Sequence, residues 1–379
     1  MYDVQTKYNI VKQAIKSKIL DGTYQPHQKI SSESELMKQF GVSRHTVRLA
    51  IGELVNQGWL YREQGSGTFC ADRTKETSQK QVQQKNIAII TTYISDYIFP
   101  SIIRGAESFL SKNGYQVSLF STDNNHDNER KILEKILTQP FDGVIIEPTK
   151  SAVANPNINY YLNLERQEIP YLMINAYYDE LEPFHIIVDD EKGGFLQTEH
   201  LIEQGHTNIV GFFKNDDMQG TKRMKGYLKA HRKHGIEISP NNIITYETTE
   251  KTTKPEEELR KLLKSEKNRP TAIVCYNDEL AIMLLDVLRE AKLKIPEDIS
   301  IIGFDNSFMA DITEVKLTTI EHPQSEMGEL AGKVILDKVK QVRGQKKQEH
   351  MENDLIRFDP KLVVRTSTAP VGGRVKKQS

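Results

Sequence analysis

A chain of 379 residues, 37% apolar and 27% charged, is too long for one core and too polar for a membrane protein, so two or three soluble domains are expected. No apolar run approaches the ~18 residues of a membrane span, Met1-Tyr2-Asp3-Val4 starts no basic-then-apolar leader, and Cys70 and Cys275 lack disulfide or metal spacing, which together predict a cytoplasmic protein with inert thiols. The net charge of −1 conceals an asymmetry: residues 1–80 hold 12 Lys/Arg against 8 Asp/Glu, a surplus of four that leaves −5 on the remainder and points to a polyanion partner at the N-terminal end.

The first predicted helix carries Ile10, Val11, Ile15, Ile19 and Leu20 at helical spacing and stops at Asp21-Gly22. Pro26 marks a turn. Ser32 with Glu35 three residues on matches a capping box that opens a second helix, with Leu36, Met37 and Phe40 on its apolar face and Gly41 at its end. Ser43 caps a third helix that buries Val47, Ala50, Ile51, Leu54 and Val55 and ends at Gly58. Two short strands, Trp59–Arg62 and Thr68–Ala71, follow around the turn 63–67. Helix, turn, helix and hairpin in this order predict a winged helix-turn-helix over 1–71, an α+β unit. Residues 72–85 have too few apolar side chains to bury a core and read as a linker.

The body over 86–366 alternates apolar runs with amphipathic stretches. The runs 87–90, 117–120, 143–146, 171–174, 209–213, 272–275 and 299–304 read as buried parallel strands. Helices are expected over 100–113, 129–138, 191–204, 220–234, 256–265 and 279–291. So many βα units exceed one sheet of ordinary width, so two α/β lobes are expected, with ligand groups just after the strands. Residues 367–379 read as a flexible tail.

The third helix leaves Arg44, His45 and Arg48 off its apolar face, with Ser43 and Thr46 at its N-terminus. Free N–H groups and a positive dipole suit phosphate there, and arginine can fork onto guanine. Gln64-Gly65-Ser66-Gly67 forms a polar tip whose glycines allow close backbone approach. The strings 30–37, 40–48 and 65–69 resemble the DNA-binding domain of the GntR family. That resemblance implies that Glu33, Ser34, Ser43, Arg44, His45, Thr46 and Arg48 face the major groove and its backbone. It also implies that Gln64, Gly65 and Ser66 serve the wing, that Lys7 meets a phosphate, and that the protein binds a pseudo-palindrome as a homodimer.

In the body, polar groups follow several strands: Tyr97, Glu147 to Lys150, Asn175, Asp189-Asp190, Lys214, Asn277-Asp278, Asp305-Asn306 and the loop 321–324. Converging donors, acceptors and aromatic faces without a phosphate cradle suit a small polar ligand. The strings Arg104-Gly105-Ala106-Glu107, Phe141 to Ile146, Leu201 to Ile209, Arg223-x-x-Gly226-Tyr227, Tyr276-Asn277-Asp278, Ile302-Gly303-Phe304-Asp305 and Leu317 to Ile320 resemble the LacI/GalR repressor core, a two-lobed periplasmic-binding-protein-like α/β fold. The resemblance implies that Asn175, Arg223, Asn277, Asp305 and His322 are effector positions, with Tyr97, Glu147 and Lys150 in more variable loops. Arg223 is expected to act as a forked donor to two hydroxyls. A GntR head on a LacI-type core resembles the arabinose-responsive repressors of Gram-positive bacteria, which implies L-arabinose as the sugar effector. The residues alone leave open another sugar or small polar metabolite, and an activator as well as a repressor.

An enzyme is not expected. Gly-x-Ser-x-Gly, a Walker loop and His-Glu-x-x-His are absent. His200 and His206 do not share a helix face, and His231 and His234 sit among Lys229, Arg232 and Lys233, which repel a cation. No metal and no cofactor are expected.

Overall fold

The computed structural model describes residues 6–72, 85–95, 97–265, 269–344 and 355–372. Of the expected linker 72–85, residues 73–84 lie outside that set.

The head contains α1 (Lys7–Leu20), α2 (Glu33–Phe40), α3 (Arg44–Asn56), β1 (Leu60–Glu63) and β2 (Gly67–Cys70). The capping box is present: Ser32 Oγ accepts from Glu35 N at 3.3 Å, and Glu35 Oε2 accepts from Ser32 N at 2.7 Å. Those bonds hold the Glu35 carboxyl below its ordinary value. Gly41 closes α2 with φ +60, a left-handed turn that sets the angle to α3. Val11, Ile15, Leu36, Val47, Ile51, Leu54 and Leu60 fill a small core between the three helices and the hairpin.

The body interleaves two lobes. The N-lobe takes β3 (Asn86–Thr91), α4 (Phe99–Lys112), β4 (Gln116–Ser121), α5 (His126–Ile136), β5 (Gly143–Ile146), α6 (Ile158–Arg166), β6 (Tyr171–Ile174) and β7 (His185–Val188). The C-lobe follows with α7 (Asp190–Glu203), β8 (Ile209–Lys214), α8 (Met218–Lys233), β9 (Ile243–Tyr246), α9 (Lys254–Leu263), β10 (Ala272–Cys275), α10 (Asp278–Glu290), β11 (Ser300–Ile302), α11 (Phe308–Ile312) and β12 (Thr319–Ile320). The chain then returns to the N-lobe as α12 (Gln324–Val342) and β13 (Leu355–Phe358), and β14 (Leu362–Val363) pairs antiparallel with β12.

Among the described residues the N-lobe sheet has the order β13-β7-β6-β5-β3-β4 and the C-lobe sheet β11-β10-β8-β9, with every pairing parallel. The two-lobed α/β expectation is met. In each sheet the first strand of the lobe sits inside, so order reverses there and the carboxyl ends open a crevice. The chain crosses between lobes after β7, after β12 and after β13, which makes a three-segment hinge beside that crevice.

Two expectations are corrected. Residues 367–371 are not a flexible tail: Ser367 is fully buried, its Oγ donates to Ile301 O at 2.6 Å, and Val371 N donates to Gln204 O. This end of the chain adds the hydrogen bonds that the edge strand β11 lacks on one side. The expected strand 299–304 is shorter, because after Ile302 the chain bends toward Asp305, whose φ of +94 suits no strand.

Candidate functional site

Two sites emerge, one on the head and one between the lobes. On the head, Ser43 Oγ accepts from Thr46 N at 3.2 Å and caps α3. Arg44, His45 and Arg48 are exposed along that helix, Ser34 is exposed on α2, and Lys7 is exposed at the start of α1. Gln64, Gly65 and Ser66 form the exposed hairpin tip, where Gly65 has φ +80. Glu33 and Arg48 bond each other: Arg48 Nε donates to both carboxylate oxygens at 3.1 and 3.0 Å. That exposed pair contributes little stability but fixes the guanidinium across α2 and α3.

Between the lobes lies a cleft of about 890 Å³ counting its open mouth. From the N-lobe it receives Thr92, Tyr93, Tyr97, Phe99, Asn124, Glu147 and Ser151, and from the C-lobe Lys214, Asp217, Gln219, Tyr246, Thr248, Lys251, Tyr276, Asn277, Glu279 and Asp305. Of the expected effector residues, Tyr97, Glu147, Asn277 and Asp305 therefore line it. Arg223, Asn175, His322 and Lys150 lie outside its lining, for a different reason in each case.

Arg223, expected as a forked donor to a ligand, is in this structure buried and paired rather than open to the cleft. It is 1% exposed; Nε donates to Asp190 Oδ1 at 2.8 Å, Nη1 to Tyr276 O at 2.7 Å and Nη2 to Asp305 Oδ1 at 3.4 Å. Its guanidinium carbon stacks 3.5 Å from the Phe304 ring centroid. Two backbone approaches hold it there: a Cβ on Gly226 would meet Glu191 O at 2.1 Å, and one on Gly194 would meet Arg223 O at 2.2 Å. Only glycine lets α7 and α8 come close enough to join Asp190 to Arg223. Burial raises the Asp190 carboxyl to about 6 against the opposing pull of Arg223. Burial opposes the Arg223 charge, but Asp190 and Asp305 overcome it and keep the guanidinium protonated. Arg223 thus touches Asp305 and Tyr276, which do line the cleft.

Asn175 and His322 form a layer beneath Glu147. Thr92 N and Oγ1 donate to Glu147 Oε2 at 2.8 and 2.6 Å, and Asn175 Nδ2 donates to Glu147 Oε1 at 3.2 Å. His322 Nε2 lies 3.1 Å from Asn175 Oδ1, so it carries the proton of a neutral ring. Burial lowers His322 to about 4, while its Nδ1 has no partner. Burial raises Glu147, opposed by the Thr92 and Asn175 bonds. Lys150 N donates to Asn124 Oδ1 at 2.8 Å, and that backbone contact is how this residue meets the cleft edge.

Among the described residues several contacts bridge the lobes. Tyr97 donates to Phe304 O at 2.9 Å and accepts from Asp278 N at 3.1 Å. Asn124 Nδ2 donates to Thr248 Oγ1 at 2.6 Å, and Met218 N donates to Ser151 Oγ at 2.9 Å. The hydroxyl of Tyr97 therefore serves the opposite lobe. Tyr97, Asn175 and Asp305 all hold positive φ, an uncommon conformation for side-chain-bearing residues that clusters here at the cleft.

The sequence reading missed the wall formed by Tyr246, Thr248 and Lys251, because β9 was not recognised; its signal was the β-branched run Ile243-Ile244-Thr245 ahead of Tyr246. Asp278, expected among the polar groups that follow the strands, is fully buried and accepts from Thr319 Oγ1 at 2.6 Å and Ser307 N at 2.8 Å, with burial pushing its carboxyl to about 7. No group of three metal-ligating side chains and no helix long and apolar enough to cross a membrane occurs among the described residues.

Residues 7–70 match the gntR family of bacterial regulatory proteins, and residues 198–368 match the periplasmic binding protein-like domain. The chain is 60% identical to the arabinose metabolism transcriptional repressor of Halalkalibacterium halodurans, over 97% of both chains. It is 49% identical to the repressor of that name from Geobacillus stearothermophilus, over 96% of this chain and 98% of the other. A LacI family transcriptional regulator from Enterococcus faecium with bound ribose superposes with a TM-score of 0.63 at 28% identity, over 76% of this chain and all of that one. With identity of this extent across head and body together, the chain belongs to the arabinose metabolism transcriptional repressors, DNA-binding regulators that join a gntR-type winged helix to a LacI-like two-lobed core.

Proposed function

We propose that this repressor grips a pseudo-palindromic operator as a homodimer in the cytoplasm and is released when L-arabinose enters the cleft. The observation that carries the sugar reading is the charge balance of the cleft. Lys214 Nζ lies 3.1 Å from Asp217 and 3.8 Å from Asp216, and Lys251 Nζ lies 3.2 Å from Glu279. Each ammonium is matched by carboxylates, so the cleft favours a neutral ligand. Tyr93, Phe99, Tyr246 and Tyr276 supply ring faces for C–H patches, while Glu147, Asn277 and Asp305 supply hydroxyl partners. The repressors of arabinose metabolism named above direct that reading to L-arabinose.

In this reading Ser43, Arg44, His45, Thr46 and Arg48 meet the major groove, with Glu33 orienting Arg48. Ser34 and Lys7 meet phosphates, and Gln64 to Ser66 enter the neighbouring groove. Two heads are needed for two half-sites. The α11 face of Phe308, Met309 and Ile312, which are 79%, 48% and 59% exposed, offers apolar surface for pairing of the cores.

Calorimetric titration against a panel of pentoses and hexoses, with an operator gel shift in each sugar, tests the reading. L-arabinose is expected to bind and to release DNA. Release by a different sugar, or by none, overturns it.

A further inference from the structure

The head is held by more than its tether. The C-terminal end of α1 rests on α5 and α6 of the N-lobe. Ser17 Oγ lies 3.1 Å from Glu134 Oε1 and 3.0 Å from the Tyr160 hydroxyl, which itself donates to Glu134 at 3.1 Å. Asn163 Nδ2 donates to the Leu20 carbonyl, one of the last-turn carbonyls that a helix cannot satisfy internally. Arg166 Nη1 donates to Gln25 Oε1 at 3.1 Å. Tyr160 and Asn163 are 3% and 5% exposed, and Ile19, Leu20 and Tyr24 share one apolar cluster with Tyr160, Tyr161 and Leu164. The contact is buried at its centre. Arg44, His45 and Arg48 stay exposed, so docking uses a different face from the one that reads DNA.

The same two helices are tied on their other side to the cleft. Glu129 of α5 is fully buried and accepts from Asn155, Asn157, Tyr161 and Tyr178 at 3.1, 2.7, 2.8 and 2.7 Å. Tyr161 belongs to α6, and Asn155 and Asn157 lead into it. Thr149 N donates to the Tyr178 hydroxyl at 2.8 Å, which joins the 147–157 segment to the same carboxylate. That segment carries Ser151 and, through Lys150 and Asn124, the Thr248 contact that bridges the lobes. From the bridged cleft edge to α1, each step is a hydrogen bond or a shared helix.

We propose that this face of α5 and α6 is the docking seat for the head of the same chain, and that lobe closure reaches the head through Glu129 and α6 rather than through the linker. The proposal rests on the sugar-release reading above. With the lobes bridged and the head seated, each reading helix is fixed to its N-lobe, and a dimer loses the freedom to fit two half-sites at once. Docking thus belongs to the released form. A run of contacts is a coupling path only if breaking it changes the linkage between the two sites.

The test uses the full-length chain with Asn163→Ala, which removes the partner of the Leu20 carbonyl, and separately Ser17→Asp, which sets a second carboxylate against Glu134. Operator affinity is read by fluorescence anisotropy at fixed salt with and without saturating L-arabinose. Sugar affinity is read by calorimetry, and protection of residues 17–22 by hydrogen exchange. In the unaltered chain, sugar is expected to weaken operator binding by about 10- to 100-fold and to protect 17–22. Each variant should bind operator alone within about threefold of the unaltered chain, still bind sugar, show a sugar effect below about threefold, and gain no protection. Variants that keep the full sugar effect overturn the docking proposal and leave sugar release standing, as does a loss of operator binding without sugar. An unaltered chain whose operator affinity ignores L-arabinose overturns the release reading and the proposal with it.

Discussion

The head and the cleft are built on opposite plans. On the head Ser34, Ser43, Arg44, His45 and Arg48 are exposed, and Arg48 bonds the partly exposed Glu33. In the cleft the central carboxylates are buried and already paired: Glu147 by Thr92 and Asn175, Asp305 by Arg223, Asp217 by Tyr276 at 2.7 Å. The comparison teaches where specificity comes from in each. A phosphate backbone is met by mobile charges whose value depends on salt. A small neutral ligand needs donors fixed in advance, so that little ordering remains when it binds.

Arg223→Ala should break this contrast most severely. It leaves the Asp190 and Asp305 carboxylates buried without their partner, and about 3–5 kcal/mol of stability should be lost in urea unfolding, concentrated in the C-lobe. A loss below about 1 kcal/mol would return Arg223 to the role of a free sugar ligand.

His322 sharpens the cleft side of the comparison. Its folded value is about 4 against an ordinary 6.5, so the unfolded chain binds the proton first as pH falls. The neutral ring's contribution is present above pH 6.5 and is lost as pH drops toward 4, by up to about 3 kcal/mol. The unfolding free energy should fall across that window, and His322→Gln should flatten the fall. An NMR titration in which His322 gains its proton near pH 6.5 would contradict the buried, neutral layer.

Arg44→Ala tests the head side. Operator affinity should weaken by about 1–3 kcal/mol, with the unfolding of the body and its sugar affinity unchanged. The exposed side chain predicts no stability effect. Ser32→Ala is the smallest expected change: losing the capping box at α2 should cost the head about 1 kcal/mol in thermal melting, without touching the reading helix directly.

Much of this was legible in the sequence for a physical reason. The head is assembled from local signals, Ser32 with Glu35, Gly41, Ser43 and the glycine-bearing hairpin, and each element stands within a residue or two of its expected position. The strands β3, β5, β6, β8 and β10 are buried on both faces and so read as apolar runs. The strands β7, β9 and β13 do not read as apolar runs, since His185, Thr245 and Arg357 place a polar side chain in each run of four residues. The cleft was legible as a set of strand ends but not as a hierarchy. Arg223 finds Asp190 33 residues back and Asp305 82 residues on, and no local pattern shows that those carboxylates pair with it. The seat of the head on Tyr160 and Asn163 joins residues 143 apart, and α6 itself was not anticipated.

Everything in the account turns on one linkage between a solvated reading surface and a buried, pre-paired cleft. Its direct measurement is the dissociation constant of the full-length chain for its operator, taken at one salt concentration across a titration of L-arabinose, beside the dissociation constant for L-arabinose taken with and without operator. Both constants should shift by one common factor, about 10- to 100-fold. Two independent affinities, neither moved by the other ligand, would contradict it.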